Sequence, residues 1–121
     1  MVLVDSSVWI EHLRNGNATL QGLLLNLQVQ IHPFVLGELA LGSLRNRASI
    51  LDALSNLPRV LQAQDAEVLQ FIENQKLYGV GIGYVDAHLL ASVALTPGAT
   101  LWTRDKKLCT VAKRLGLRWD G

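Results

Sequence analysis

Four acidic residues stand out because each interrupts an apolar run: Asp5 in VLVDSSVWI, Glu38 in FVLGELAL, Asp86 in IGYVDAHLL and Asp105 in LWTRDKKL. Carboxylates gathered in such surroundings repel one another, by roughly 3 kcal/mol for two unit charges about 5 Å apart at an effective dielectric near 20. A hard divalent cation such as Mg²⁺ or Mn²⁺ offsets that repulsion, since it prefers carboxylate and water oxygens and takes few direct protein ligands. Two such ions about 3.5 to 4 Å apart activate a water and stabilise the leaving oxygen of a phosphodiester. The residue types thus predict metal-assisted nuclease chemistry, with Asp5, Asp86 and Asp105 as metal ligands and Glu38 holding a second ion or orienting the water. Ser6 and Thr103 are the hydroxyls expected to orient the carboxylates. A plainer reading stands beside each acid: Asp5 as a helix cap, Glu38 as a solvated helix acid, and Asp86 and Asp105 as helix-start acids favoured by the macrodipole. Ser6 and Ser7 are available to cap the first helix, which leaves Asp5 free for chemistry.

Acids so far apart in sequence converge only if the fold delivers them to one edge. Val2 to Val4 reads as a strand buried on both faces, ending at Asp5. A helix follows to Asn15-Gly16, a second runs from Asn17 to about Leu27, and Val29 to Ile31 is a second strand. Pro33 opens a helix carrying Val35, Leu36, Leu39, Ala40 and Leu44, with Glu38 about one turn in. Asn46 caps a helix to about Leu57, Arg59 to Leu61 is a possible strand, and Asp65 caps a helix through about Tyr78. Gly79 to Gly83 leads into a helix over Tyr84 to Leu95, with Asp86 in its first turn. Thr100 to Thr103 is a strand, Asp105 opens a helix through about Leu115, and Leu117 to Trp119 is a last short strand. The alternation predicts an α/β sandwich with a mostly parallel sheet. The working site of such a sheet lies beyond the carboxyl ends of its strands, where Asp5 and Asp105 fall.

Composition bounds the possibilities. The 121 residues are half hydrophobic, enough for one domain over 1–121 with a real core and too few for two. A formal net charge of +1 excludes a strong overall polyanion binder, so any electrostatic specialisation is local. It is found beside Asp105, where Arg104, Lys106, Lys107, Lys113, Arg114 and Arg118 cluster. Arg104, Lys106 and Lys107 are the expected substrate-binding residues, a rim that attracts the phosphates of a phosphodiester substrate, and Arg45 and Arg47 add a second flank. The single cysteine, Cys109, excludes an internal disulfide and fits a reducing cytoplasm. Asp5 cuts short any secretory leader, and no window approaches a membrane span. The histidines His12, His32 and His88 share no metal-ligand spacing and read as structural, Cys109 as buried, and Trp9, Trp102 and Trp119 as core. The apolar excess between Leu20 and Leu57 predicts a homodimer face or a groove for an amphipathic partner helix.

Taken together and in order, the four segments resemble the PIN-domain family, most closely its small VapC toxins. LVDSSVWIE is similar to that family's first motif, carrying Asp5 and Ser6; GELALG supplies Glu38; VDAHLLASVAL supplies Asp86; LWTRDKKL supplies Thr103 and Asp105. Leu108 stands where many relatives have an aromatic. The resemblance implies a three-layer α/β/α sandwich and a Mg²⁺-dependent endoribonuclease that cuts structured RNA such as tRNA or rRNA and is silenced by a VapB-type antitoxin. The alternative is a non-catalytic RNA-binding or signalling α/β module. A signalling receiver needs a pair of acids after the first strand, and an aspartyl phosphatase needs a second Asp where Ser7 stands.

Overall fold

Three aliphatic residues with no polar alternation form β1 (Val2–Val4), buried on both faces at the centre of the sheet. The computed structural model describes residues 1–121. After β1 come α1 (Ser6–Asn15), α2 (Ala18–Leu25), β2 (Val29–Gln30), α3 (Pro33–Ala40), α4 (Arg47–Ser55), α5 (Asp65–Gln75), α6 (Tyr84–Leu95), β3 (Thr100–Trp102) and α7 (Lys106–Arg114). The sheet order is β2-β1-β3 and every pairing is parallel, with Val2 opposite both Val29 and Thr100 and Val4 opposite Trp102. Helices cover this sheet as an α/β sandwich, and none is long and apolar enough to cross a membrane.

The two outer strands expected from the sequence are reduced to single parallel bridges, Ile31 to Arg59 and Leu101 to Arg118. Pro33 starts α3 so soon after β2 that only Ile31 is left to meet Arg59, whose neighbour Pro58 has no N–H to give. With these bridges counted, the lateral order is 59, β2, β1, β3, 118. The chain therefore winds outward in both directions from β1, and the direction reverses between β1 and β3. That reversal is the topological switch point where open sheets of this kind place their ligands.

Several helix ends differ from expectation. Ser6 and Ser7 do not cap α1; they are its first two residues, and Asp5 holds the N-cap position without a side-chain cap bond. α3 stops at Ala40, so Leu44 lies beyond it in the loop before α4, and Glu38 is in its second turn. The Arg47 guanidinium donates to the Ala40 carbonyl at 2.7 Å and satisfies part of that helix end. Asn46 makes no cap bond, having turned into the left-handed region at φ 52°. At α5 the cap is Gln64 rather than Asp65, its N–H donating to Glu67 at 2.9 Å, and the helix ends at Gln75 where Lys76 adopts φ 53°.

The core is built on Leu3, Val4, Leu89, Leu90, Leu101 and Leu108, all fully buried, with α6 contributing its whole central stretch. His32 ties three elements together. Its Nδ1 accepts the Phe34 N–H at 3.0 Å and caps α3, which leaves the proton on Nε2 to donate to Ser92 Oγ on α6 at 3.2 Å. The same Ser92 oxygen accepts the Ala63 N–H at 3.0 Å. His12 is likewise structural, Nδ1 accepting the Asn17 N–H at 3.0 Å. Of the tryptophans only Trp9 is core; Trp102 and Trp119 stack half-buried at the sheet edge, ring centroids 4.5 Å apart. Cys109 is half-buried rather than buried, because its position on α7 faces the Trp119 end of the chain.

Candidate active site

Each strand runs in the same direction and hands the chain directly to a helix, so α1, α3 and α7 all begin at the carboxyl edge of the sheet. α6 runs back to deliver the chain to the start of β3, which brings its first turn to that same edge. Asp5 and Asp105 are the N-cap residues of α1 and α7, Asp86 is in the first turn of α6, and Glu38 lies one turn further along, in the second turn of α3.

Asp5 is the buried member, 6% exposed. Its Oδ2 accepts two hydroxyl protons, from Thr103 at 2.7 Å and from Ser7 at 2.8 Å. Each of those hydroxyls is itself fixed by the loop after β3: Thr103 Oγ1 accepts the Asp105 N–H at 3.1 Å and Ser7 Oγ accepts the Arg104 N–H at 3.0 Å. A hydroxyl has one proton to give, and both spend it on the same oxygen, so Oδ2 is fixed as a double acceptor and the carboxyl group is held in one orientation. Oδ1 is engaged only by Ser6 at 3.5 Å and is the oxygen left for a ligand. The sequence pointed to Ser6 and Thr103 as orienting hydroxyls; Ser7 is the one it missed, and its place two residues after Asp5 at a helix start was the available signal.

Asp86 and Asp105 do fill the helix-start roles set out as their plainer reading. Asp105 Oδ1 accepts the Leu108 N–H at 2.9 Å as the N-cap of α7, and Asp86 Oδ2 accepts the Gly83 N–H at 3.3 Å. Each keeps its other oxygen free of any protein partner.

The four carboxylates nevertheless feel one another. Partial removal from water, then the charge of Asp5, raises Glu38 above the usual glutamate range, with Asp86 adding to the effect and a hydrogen bond from Ser6 opposing it. Asp86 is raised by burial and by the charges of Asp5 and Asp105, against the lowering bond from Gly83. No cation answers them. The ion pairs of the chain are Arg104 with Glu11 and Arg118 with Asp120, plus the approach of His88 to Asp65 at 3.2 Å. No three His, Cys, Asp or Glu side chains are drawn tightly enough together to hold an ion as they stand. Their chemistry still suits one: hard oxygen donors, mutually repelled, one buried and all without a protein counter-charge.

On the basic rim, Arg104 is tied back to Glu11 of α1, a residue the sequence reading did not single out. Lys106 and Lys107 are exposed and have no acidic partner. A groove of about 460 Å³ opens beside Glu38, lined by Ile10, Leu13, Leu39, Leu44 and Ile50 with Arg14 and Arg45 at its margin.

Residues 2–114 match the family model for the PIN domain. Ribonuclease VapC32 of Mycobacterium tuberculosis, from strains CDC 1551 / Oshkosh and ATCC 25618 / H37Rv, is 49% identical over 117 residues, covering 97% of this chain and 94% of the relative.

Proposed function

The chain belongs to the PIN-domain family, and on that ground we propose that it is a VapC-type endoribonuclease, the toxin of a toxin–antitoxin pair. The observation that carries the reading is Asp5, buried and held in one orientation at the switch point by Thr103 and Ser7, its charge felt by Glu38 and Asp86. Asp5, Asp86 and Asp105 would hold the divalent ion, Mg²⁺ or Mn²⁺, which when bound lowers the pKa of water and neutralises developing charge on a phosphodiester. Thr103 and Ser7 fix the Asp5 carboxylate, and Ser6 stands at its other oxygen. Glu38, raised by partial burial and then by the charges of Asp5 and Asp86, is suited to accept and return a proton as it orients the attacking water. Arg104, Lys106 and Lys107 hold the RNA, tRNA or rRNA, by its phosphates.

The partner is a VapB-type antitoxin whose apolar segment occupies the groove beside Glu38, and the exposed Leu25, Leu27, Leu41, Leu61 and Leu69 support pairing with a second copy in the cytoplasm. The test is incubation of the full chain with structured RNA in Mg²⁺. Fragments ending at discrete positions, lost on chelation and in Asp5→Asn, are expected; RNA left intact by a folded chain in both Mg²⁺ and Mn²⁺ would refute the assignment.

A further inference from the structure

α7 places Lys106 and Lys107 in its first turn, the end of a helix where the backbone dipoles are positive and a cation is disfavoured. Neither lysine has an acidic partner to account for its position. Two turns along the same face comes Arg114, one guanidinium N–H donated to the Gln75 carbonyl at 2.8 Å and the others free. These three cations, with Thr110, Val80 and Val111, line a cleft of about 300 Å³ between α7 and the loop over 79–83. No carboxylate lines it.

The loop is shaped to the lysine. Gly81 takes φ +86°, and a Cβ there would lie 2.9 Å from Lys107 Cδ and 3.2 Å from its Nζ. A side chain at position 81 would be strained at that φ and would push the flexible end of Lys107 aside, so glycine lets the loop lie over the Lys107 side chain as it stands. From Lys106 to Arg114 the stripe runs about 12 Å at 1.5 Å per helical residue, roughly three steps of a stacked strand at about 3.4 Å each. It begins next to Asp105.

We propose that this cleft is a phosphate-binding subsite that holds the RNA backbone on one side of the bond to be cut, so that the strand leaves the acidic centre along α7. The assignment rests on the ribonuclease reading and adds where that substrate lies.

The test measures binding of a fluorescent single-stranded RNA to the full chain in chelator, across a salt series. Lys107→Gln and Arg114→Gln are expected to weaken binding several-fold each and to make the slope of log K against log salt shallower by about 0.7 each. Gly81→Ala, which keeps every charge but displaces Lys107, weakens binding as well. Arg59→Gln, at the opposite edge of the sheet, is expected to leave affinity and slope as in the parent. Cleft variants that bind with the parent's affinity and slope overturn the proposal, as does an equal loss in Arg59→Gln, which would reduce the effect to net charge. Cleavage by the unsubstituted chain in Mg²⁺ separates the two readings: if it cuts RNA while the cleft variants bind normally, only the cleft falls. A parent that neither binds nor cuts RNA removes both.

Discussion

The two oxygens of Asp5 are not equivalent, and that difference sets what single substitutions should do. Asp5→Asn can keep an oxygen toward the Ser7 and Thr103 hydroxyls only by turning its NH2, a donor, to the place of Oδ1 where the ion would bind, so RNA cleavage is expected to fall at least about 100-fold in a gel assay, more than loss of one outer support. Thr103→Val leaves the carboxylate anchored by Ser7 alone, and about a 10- to 100-fold loss of activity or metal affinity is expected, the affinity read by isothermal titration with Mn²⁺. Glu38 and Asp86 behave oppositely with respect to stability. Their raised pKa values mean that the folded chain binds their protons more tightly than the unfolded one, so each weakens the metal-free fold as pH rises through its folded value. Glu38→Gln and Asp86→Asn should therefore raise the Tm of the metal-free protein at neutral pH, by about a degree or two in calorimetry, while reducing cleavage. The acids were legible in the sequence because charge inside an apolar run is conspicuous. Ser7 was not, because neighbouring hydroxyls differ only in which helical direction they face.

Among the elements, the His32 link decides how α3 is seated against α6. Burial, with His88 and Arg59 contributing, lowers His32 from the ordinary 6.5 to about 4. The unfolded chain takes up this proton first as pH falls, so the stability due to neutral His32 is complete above 6.5 and is lost toward pH 4. Urea unfolding should show that loss, and His32→Gln should flatten it within the same window. Ser92→Ala leaves the His32 and Ala63 donors unanswered and should destabilise the fold by about 1 to 3 kcal/mol in the same measurement. The helices were readable from periodicity and punctuation, α6 to the residue. The outer strands were not, since the length of Arg59 to Leu61 as a strand depends on how much of β2 is left to pair with, and Pro33 leaves one residue.

For the whole molecule, the unanswered negative charge at the carboxyl edge makes a divalent ion a ligand of the folded state alone. Mg²⁺ or Mn²⁺ should raise the Tm of the parent by an amount that grows with the logarithm of concentration above Kd, and should raise that of Asp5→Asn much less. The overall layout followed from strand and helix alternation. How near the acids come to one another, and that the exposed Arg104 pairs with Glu11, depends on packing that no local pattern records.

The hydroxyl that secures Asp5 comes from Thr103, 98 positions later in the chain, and β1 finds its neighbour β3 at a similar separation. A polypeptide leaving the ribosome from its amino end thus carries its key acid first and the support for that acid nearly last. Chains truncated before Thr100, which lack both β3 and that hydroxyl, are therefore expected to leave RNA intact when incubated with it in Mg²⁺, and cleavage by one of them would show that Asp5 works without this late support.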